Sequence, residues 1–317
     1  MPTFYIKHLT KYNYTNIVID SASQIMLYPI ADEFLKVISQ NIRVNSNPQI
    51  ATRVDFYNNT VGSFMVIEPH DYLSIVSEIE VITSEKIFPN DLTPVETQWE
   101  SLKSLKNKQE FLDFLKYKTF DGTDGIFELI NSKDLSVLSP YKIVLEFCEY
   151  IYTNFKYIQG ITSVDSKLDH VWKLKAGVCQ DFTNILLQMV RMLGIPARYV
   201  SGYICPNDAG SRGEGATHAW IEAYIPFYGW LGIDPTNNAI ANQYHVKLAV
   251  GKNYNDCAPV KGVYKGAVKE NLFVKVKVSN RKNENDELVF PANLKSKTEG
   301  NSYRQNLELI QQIQQQQ

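Results

Sequence analysis

The chain has 317 residues with 32 basic and 34 acidic side chains, which gives a formal net charge of −2. A hydrophobic fraction of 44% beside 21% charged residues is typical of a globular protein and excludes an intrinsically disordered chain. The near-neutral charge lacks the basic excess that nucleic acids and anionic membranes attract, so we expect neither as a partner. Four cysteines are too few for a disulfide scaffold.

Signals for secretion and for membrane insertion are absent from the sequence. The first residues, MPTFYIKHLTKYNY, lack the charged and apolar regions of a signal peptide. The longest weakly polar stretch, 224–233, is far shorter than the roughly 18–20 apolar residues of a membrane span. We therefore expect a soluble protein of the cytoplasm.

Composition divides the chain into three regions. Residues 1–88 contain short runs of β-branched and aromatic residues separated by turn signals, which predicts an antiparallel β domain. Residues 89–282 mix helical and strand patterns and are expected to form an α/β core followed by a C-terminal strand segment. Residues 283–317 are polar and end in glutamines, which predicts a mobile tail. The strands predicted in the first region are Phe4–His8, Ile38–Val44, Ile50–Tyr57, Val61–Ile67 and Tyr72–Thr83.

The helical patterns begin at the linker that precedes residue 95. Val95–Tyr117 is rich in Glu, Lys and Leu and predicts one helix. Ser139 followed by Pro140 predicts the start of another, because serine caps a first turn and proline fits its first position. Cys148 lies in the apolar stripe of that second helix, and we interpret it as a buried core residue.

Cys179 begins a predicted helix that runs to Leu193. Gly177 suits a sharp turn into this helix, and Gly194 suits its end. A helix N-terminus favours negative charge, which can lower the pKa of a thiol from ~8.5 to ~3.5–7.5. Position alone does not separate a reactive thiol from a structural one, so the prediction depends on whether a base lies nearby.

A base is predicted in a hairpin further along the chain. His218 opens the strand-like run THAWIEAYI, a turn follows, and Asp234 ends the second strand. A hairpin centred on Pro226 places His218 and Asp234 directly opposite each other on one face, with Cβ atoms ~4.5–5.5 Å apart. A slip of one residue would turn one side chain away, and a chance pair on a solvated strand is the alternative. The sequence indicates no partner for the remaining histidines, which are His8, His70, His170 and His245.

These residue types together predict thiol-dependent acyl transfer. Cys179 would attack an acyl carbonyl, His218 would take the thiol proton and pass one to the leaving amine, and Asp234 would fix the imidazole tautomer. The backbone N–H of Cys179 is a candidate donor to the oxyanion. The cysteine spacing contains no CxxC pair, and we expect neither a metal nor a cofactor. The weak candidates for a second oxyanion donor are Trp172, Gln180 and Tyr203.

Several residues near this site have open assignments. Trp220 and Trp230 either wall the site or fill the core. The glycine-rich loop 206–215 suits a mobile rim that gates substrate access. Cys205 and Cys257 are loop thiols without an assigned role, and neither has a histidine partner within reach along the sequence.

Several ordered motifs of the sequence resemble the transglutaminase-like core, whose Cys, His and Asp occur in this chain order. By this resemblance, the family's Cys, His and Asp correspond to Cys179, His218 and Asp234. Residues 6–28 and 55–59 resemble the β domain that precedes this core in bacterial transglutaminase-like proteins, except that Asn58 stands where that pattern usually has glycine. The core motifs are GVCQDF at 177–182, GIPARYVSGY at 194–203, HAW at 218–220, GW at 229–230 and DPT at 234–236.

This resemblance implies a papain-like α/β core and a thioester intermediate. It does not decide the acyl acceptor, because the superfamily includes cysteine proteases, amidases, transglutaminases and members without catalysis. The leading hypothesis is a hydrolase acting on a peptide or protein substrate. An amine acyltransferase and a non-catalytic binding module on the same fold are the alternatives.

Overall fold

The structure is a computed structural model that describes residues 1–163, 166–206 and 216–282. The tail 283–317 and all but the first residue of the loop 206–215 lie outside the described residues, so the mobile tail and the gating loop stay predictions. Across the described ranges, no helix is both long and apolar enough to cross a membrane.

The described residues form fourteen strands and seven α-helices, with a short 3-10 turn at Gln109–Phe111. The strands are β1 Thr3–Ile25, β2 Leu35–Val44, β3 Ala51–Val54, β4 Thr60–Val66, β5 His70–Thr83, β6 Lys156–Tyr157, β7 Ala176–Gly177, β8 Ala197–Ile204, β9 His218–Ile225, β10 Gly229–Asp234, β11 Ala239–Ile240, β12 His245–Gly251, β13 Val260–Lys265 and β14 Glu270–Ser279. The helices are α1 Val95–Leu105, α2 Leu112–Leu115, α3 Thr123–Asn131, α4 Pro140–Asn154, α5 Leu168–Leu174, α6 Cys179–Met192 and α7 Tyr254–Cys257.

The N-terminal sheet is antiparallel and is organised by the long strand β1. The first half of β1 lies between β5 and β14, and residues Ser21–Ile25 lie between β4 and β13. Phe4 and Ile6 are buried while Tyr5 between them is only half-buried, as the period of two requires. The antiparallel β domain predicted for residues 1–88 is present. It also contains residues 260–279, which the sequence had placed with the core, because β13 and β14 return to pair with β1.

The core consists of a five-stranded antiparallel sheet in the order β11-β10-β9-β8-β12, with helices packed on it. The long helix α6 contacts β8 and β9 and buries an apolar face against them. Its bounds agree with the predicted ones to within one residue, and Gly194 has the positive φ of 78° that ends such a helix.

One predicted helix is broken. Val95–Tyr117 was expected to be continuous, but α1 ends at Leu105, and the chain turns through residues 106–108 before the 3-10 turn and the four-residue helix α2. The break turns Phe111 and Phe114 into buried positions, where their rings contact Trp230. Tertiary packing of these aromatic side chains therefore overrides the helical propensity of the segment.

The helix start at Ser139 is confirmed. The Oγ atom of Ser139 accepts a hydrogen bond from the backbone N–H of Lys142 at 3.2 Å, and Pro140 occupies the first helical position of α4. Cys148, on the inner face of α4, is buried as predicted.

The two sheets meet across a buried interface. Asn59, fully buried, exchanges two hydrogen bonds of 2.8 Å with the backbone of Val250 in β12. His8 in β1 contacts the hydroxyl of Tyr203 in β8 through its Nδ1 atom at 2.8 Å. Asn58 has a φ of 65°, which explains why glycine suits this position in the resembling β domain.

The two loop thiols without an assigned role, Cys205 and Cys257, are both fully buried. Cys205 directly follows β8 and packs in the interface between the two sheets, whereas Cys257 ends α7 and packs in the core. A turn-rich local sequence therefore did not reveal that these positions face the interior.

Candidate functional site

Cys179 is the first residue of α6 and the only half-buried cysteine of the four; the other three are buried. The carboxylate of Asp181 fixes the turn before it, because its Oδ2 atom accepts from the Val178 N–H at 2.8 Å and from the Thr162 hydroxyl at 2.6 Å. Gly177 is required here, since a Cβ atom at this position would lie 2.5 Å from the same Asp181 oxygen. The local sequence therefore places the thiol at the open end of a helix whose first turn is held by Asp181.

His218 and Asp234 form a hydrogen-bonded pair in the core sheet. The Nε2 atom of His218 lies 2.8 Å from Asp234 Oδ2, and both side chains are completely buried. The predicted register is wrong, however. Trp230 pairs with Tyr224 and Ile233 with Ile221, so the hairpin is centred one residue later than Pro226 and the two side chains are diagonal neighbours rather than directly opposed. His218 and Asp234 still contact each other in this register, because a diagonal neighbour lies on the same face of the sheet.

The carboxylate of Asp234 is the acceptor for five donors. Its Oδ1 atom accepts from the backbone N–H groups of Thr236 at 2.9 Å and Asn237 at 3.3 Å. Its Oδ2 atom is contacted by the Asn237 side-chain amide at 2.8 Å, by His218 and, at 3.3 Å, by the Nε2 atom of His245. Buried carboxylates need such compensation to remain ionised.

The charges of this cluster follow from its contacts. Burial alone would raise the pKa of Asp234, but the charge of His218 and the hydrogen bonds of both histidines hold the pKa well below its ordinary range. Burial would lower the pKa of His218, yet the charge and hydrogen bond of Asp234 and the neighbouring Cys179 outweigh it and raise the pKa to about 10. His218 is therefore an imidazolium at neutral pH.

His245 was missed as a member of this cluster. It was judged to lack a partner, but it opens β12 and reaches Asp234 from the far side of β8 and β9. Burial lowers the pKa of His245, so its ring is neutral. The ionised Asp234 can only accept, so His245 Nε2 carries the proton, and its Nδ1 atom accepts from the Asn242 N–H at 3.3 Å.

Trp220 underlies both imidazole rings. Its ring centroid lies 6.2 Å from that of His218 and 5.2 Å from that of His245, and the indole is buried. The sequence left open whether Trp220 walls the site or fills the core. The buried indole does both, because it fills the core and supports the two imidazole rings. Trp230 lies elsewhere, where its ring stacks with the guanidinium of Arg198 at 4.3 Å.

The cysteine and the pair come together through the packing of α6 on β9. His218 is the first residue of β9, and the thiol of Cys179 is close enough to influence the pKa of its ring. The Nε2 atom of His218 is taken by Asp234, and its Nδ1 atom has no hydrogen-bond partner in the described part of the chain. Nδ1 is thus the ring nitrogen available to the thiol.

Tyr203 is excluded as a second oxyanion donor. Its side chain is completely buried, and its hydroxyl is bonded to His8 in the interface between the sheets. Trp172 packs against Phe120 and Phe155. Gln180, which directly follows Cys179 and is half-buried, retains the position expected of a donor.

Comparison with known proteins gives two family matches. Residues 130–235 match the transglutaminase-like superfamily, and residues 4–82 match the bacterial transglutaminase-like N-terminal region. An uncharacterized protein of Mycobacterium leprae is 30% identical over 278 residues, which cover 86% of this chain and 97% of the relative. A protein-glutamine gamma-glutamyltransferase of Pseudomonas aeruginosa is 35% identical over 80 residues, which are 24% of this chain and 12% of that protein.

Among solved structures, a proposed cysteine protease from Cytophaga hutchinsonii has a similar fold. The two superpose with a TM-score of 0.70 at 20% identity, covering 92% of this chain and 94% of the other. The predicted α+β fold, an antiparallel β domain followed by a transglutaminase-like core, is thereby confirmed.

Proposed function

Because the chain belongs to the transglutaminase-like superfamily, we propose that it hydrolyses a peptide or amide bond through Cys179, His218 and Asp234. The observation that carries the proposal is the buried His218–Asp234 hydrogen bond of 2.8 Å beside a helix that begins at a half-buried cysteine. A nucleophile, a base and a group that orients the base are the parts that acyl transfer through a thiol requires.

In the first half of the reaction, Cys179 forms a thioester. His218 Nδ1 already holds the proton of the thiol, since the ring is an imidazolium, and the thiolate sulfur attacks the carbonyl carbon of the substrate, so that a C–S bond forms and the carbonyl oxygen becomes an oxyanion. Collapse of this intermediate breaks the C–N bond, and the imidazolium gives its proton to the departing amine. Asp234 stabilises the imidazolium throughout, because its carboxylate stays ionised in the buried site.

In the second half, water replaces the amine. His218 takes a proton from the water molecule as its oxygen attacks the thioester carbon, and the C–S bond breaks to release the sulfur as a thiolate. The product is a carboxylic acid, and the thiolate beside the His218 imidazolium is regenerated. A free thiol of this kind suits a reducing compartment such as the cytoplasm.

The oxyanion is stabilised at the start of α6. The first N–H groups of a helix have no acceptor within the helix, and the N–H of Cys179 is the first of them. We assign the second donor to Gln180, because this residue directly follows the nucleophile. The positive end of the helix dipole adds to the effect.

Transfer of the acyl group to a primary amine is the second candidate. It is favoured by the 80-residue similarity to a protein-glutamine gamma-glutamyltransferase. The same thioester serves both reactions, and the acceptor decides between them. A binding module without catalysis is less well supported, because Cys179 is retained at the start of α6 and His218 and Asp234 are hydrogen-bonded to each other.

Mass spectrometry of a peptide library incubated with the protein tests the proposal. Cleaved peptides indicate a protease, conversion of glutamine to glutamate indicates an amidase, and incorporation of an added primary amine indicates an acyltransferase. The Cys179→Ala variant is the control and is expected to leave every mass unchanged. Peptide masses that are the same with wild type and variant would support the binding module instead.

A further inference from the structure

We propose that a basic groove along α6 binds an acidic segment of the peptide substrate. The groove has a volume of about 570 Å³, and we call it the α6 groove. Its walls are the chain around Lys116–Phe120, the start of α5 and the residues around Asn253. The inference extends the proposed function, since it names the class of substrate that this site would accept.

The floor of the α6 groove is the helix that carries the nucleophile. It is formed by one face of α6, from Gln180 to Arg191. These twelve residues span eleven steps of 1.5 Å, a length of about 16 Å. That length accommodates about five residues of extended peptide at ~3.3 Å each. Gln180 directly follows Cys179, so the end of the groove at Gln180 is the end nearest the nucleophile along α6.

Two of these walls, the chain around Lys116–Phe120 and the residues around Asn253, are fastened to this floor by buried side chains. Arg191, 5% exposed, donates to the carbonyl oxygen of Lys116 at 3.1 Å and to that of Lys252 at 2.7 Å. Gln188, 6% exposed, accepts from the backbone N–H of Lys118 at 2.7 Å. These bonds fix the backbone of both walls, so the groove is a built feature of the fold rather than a gap between loops.

The lining is strongly basic although the whole chain is slightly acidic. Four lysines line the groove, and they are Lys116, Lys118, Lys167 and Lys252. The carboxylate in the lining is that of Asp169, whose Oδ1 atom accepts from the backbone N–H of Asp121 at 2.8 Å. Lys116 forms an ion pair with Asp113 at 3.6 Å, and an exposed ion pair of this kind contributes little to stability. The other three lysines form no ion pair within the described residues.

The polar lining fits a peptide better than a nucleic acid. Asn184, Asn253 and Asn255 supply amide groups that both donate and accept hydrogen bonds, as a peptide backbone requires. A nucleic acid would need a basic surface over a much larger area, and the charge of the whole chain is −2. An acidic peptide needs charge complementarity only within the groove.

Binding to a protein that cannot turn over tests the groove separately from catalysis. The host is full-length Cys179→Ala. The probe is a fluorescein-labelled nine-residue peptide with a central glutamine flanked by four glutamates on each side, and its match has serines instead of glutamates. Anisotropy is expected to give a Kd about tenfold lower for the acidic peptide, and the preference should weaken as salt screens the charges.

A matched pair of variants locates the binding. The groove triple variant carries Lys118→Gln, Lys167→Gln and Lys252→Gln. It is expected to raise the Kd for the acidic peptide about tenfold. The control triple variant removes the same charge from exposed positions outside the groove lining and carries Lys36→Gln, Lys103→Gln and Lys269→Gln. It is expected to change the Kd for the acidic peptide less than twofold.

Three outcomes would overturn the proposal. They are equal affinity for the two peptides, an equal loss in both triple variants, and tighter binding of a nine-nucleotide single strand that is lost with the groove lysines. None of them affects the assignment of Cys179 as nucleophile, which is tested by substrate turnover in the wild-type protein.

Discussion

The Nε2 atom of His245 lies 3.3 Å from Asp234 Oδ2, the same oxygen that His218 contacts at 2.8 Å. One carboxylate is thus shared by two imidazoles of different charge, because His218 is an imidazolium and His245 is neutral at pH 7. The hydrogen bond that the neutral His245 donates reduces the negative charge that Asp234 presents to His218. In the proposed reaction, His245 is therefore a positioning residue that acts on His218 through the carboxylate.

Replacing His245 separates this role from a packing role. His245→Leu removes the donor to Asp234, and we expect about a 10- to 100-fold lower kcat, the value of a hydrogen bond to a charged group. His245→Gln places an amide nitrogen near the Nε2 position and is expected to restore most of the activity. The basic limb of the pH profile should move to higher pH in the leucine variant, since Asp234 then presents more charge to His218. An unchanged profile with reduced stability would indicate packing alone.

The four thiols are expected to differ sharply in reactivity. Cys148, Cys205 and Cys257 are buried, and burial raises the pKa of each, whereas Cys179 is half-buried at a helix start. Iodoacetamide at neutral pH should label Cys179 first, as peptide mapping by mass spectrometry would detect. His218→Ala is expected to slow this labelling while the protein remains folded. Equal labelling of all four thiols in the native protein would contradict the assignment; in urea it is the expected control.

The pH dependence of cleavage reports the charge of His218. In the proposed reaction, the imidazolium supplies the proton for the leaving amine, and the pKa of His218 is raised to about 10. Cleavage should therefore fall as pH rises through about 10, when the ring loses its proton. Labelling by iodoacetamide needs no proton donor and should not fall over the same range. A decline of both rates together would point to unfolding rather than to titration of the ring.

Much of the site was predictable because strands and helices have fixed periods. The hairpin register was misjudged by one residue at its centre, which moves the partner by two positions and preserves the face of the strand. Cys179 was located because its helix has clear start and stop signals. His245 was missed because it belongs to a separate strand whose position beside β8 is a matter of tertiary topology. For the same reason, the pairing of β13 and β14 with β1 could not be deduced from local pattern.

The interface between the sheets is expected to weaken in mild acid. Burial lowers the pKa of His8 to about 4, while its ordinary value is 6.5. Between these values the unfolded state binds a proton that the folded state does not, so stability is complete above pH 6.5 and falls as pH decreases towards 4. The loss is about 3 kcal/mol at most, at 1.36 kcal/mol per pKa unit. Urea unfolding of His8→Gln should show a smaller loss over this range, and an identical slope would contradict the assignment.

A substitution at Gly202 tests how rigidly Trp220 supports the His218 ring. It pairs with His218 across β8 and β9, and a Cβ atom at this position would collide with the Val246 carbonyl oxygen and lie 2.5 Å from the Trp220 ring. Gly202→Ala should therefore lower the free energy of unfolding by about 1–3 kcal/mol, the range for overpacking. Because Trp220 supports the His218 ring, labelling of Cys179 should also slow at temperatures where the variant is fully folded.

The matched control for this substitution is Gly125→Ala in α3. Its Cβ atom would lie 3.3 Å from the Trp172 ring, and alanine is favoured over glycine within a helix by about 0.5–1 kcal/mol. We expect the free energy of unfolding of this variant to remain within about 1 kcal/mol of wild type and labelling of Cys179 to be unaffected. If Gly202→Ala behaved like this control, Trp220 would have room to move, and the rigid support inferred for His218 would be wrong.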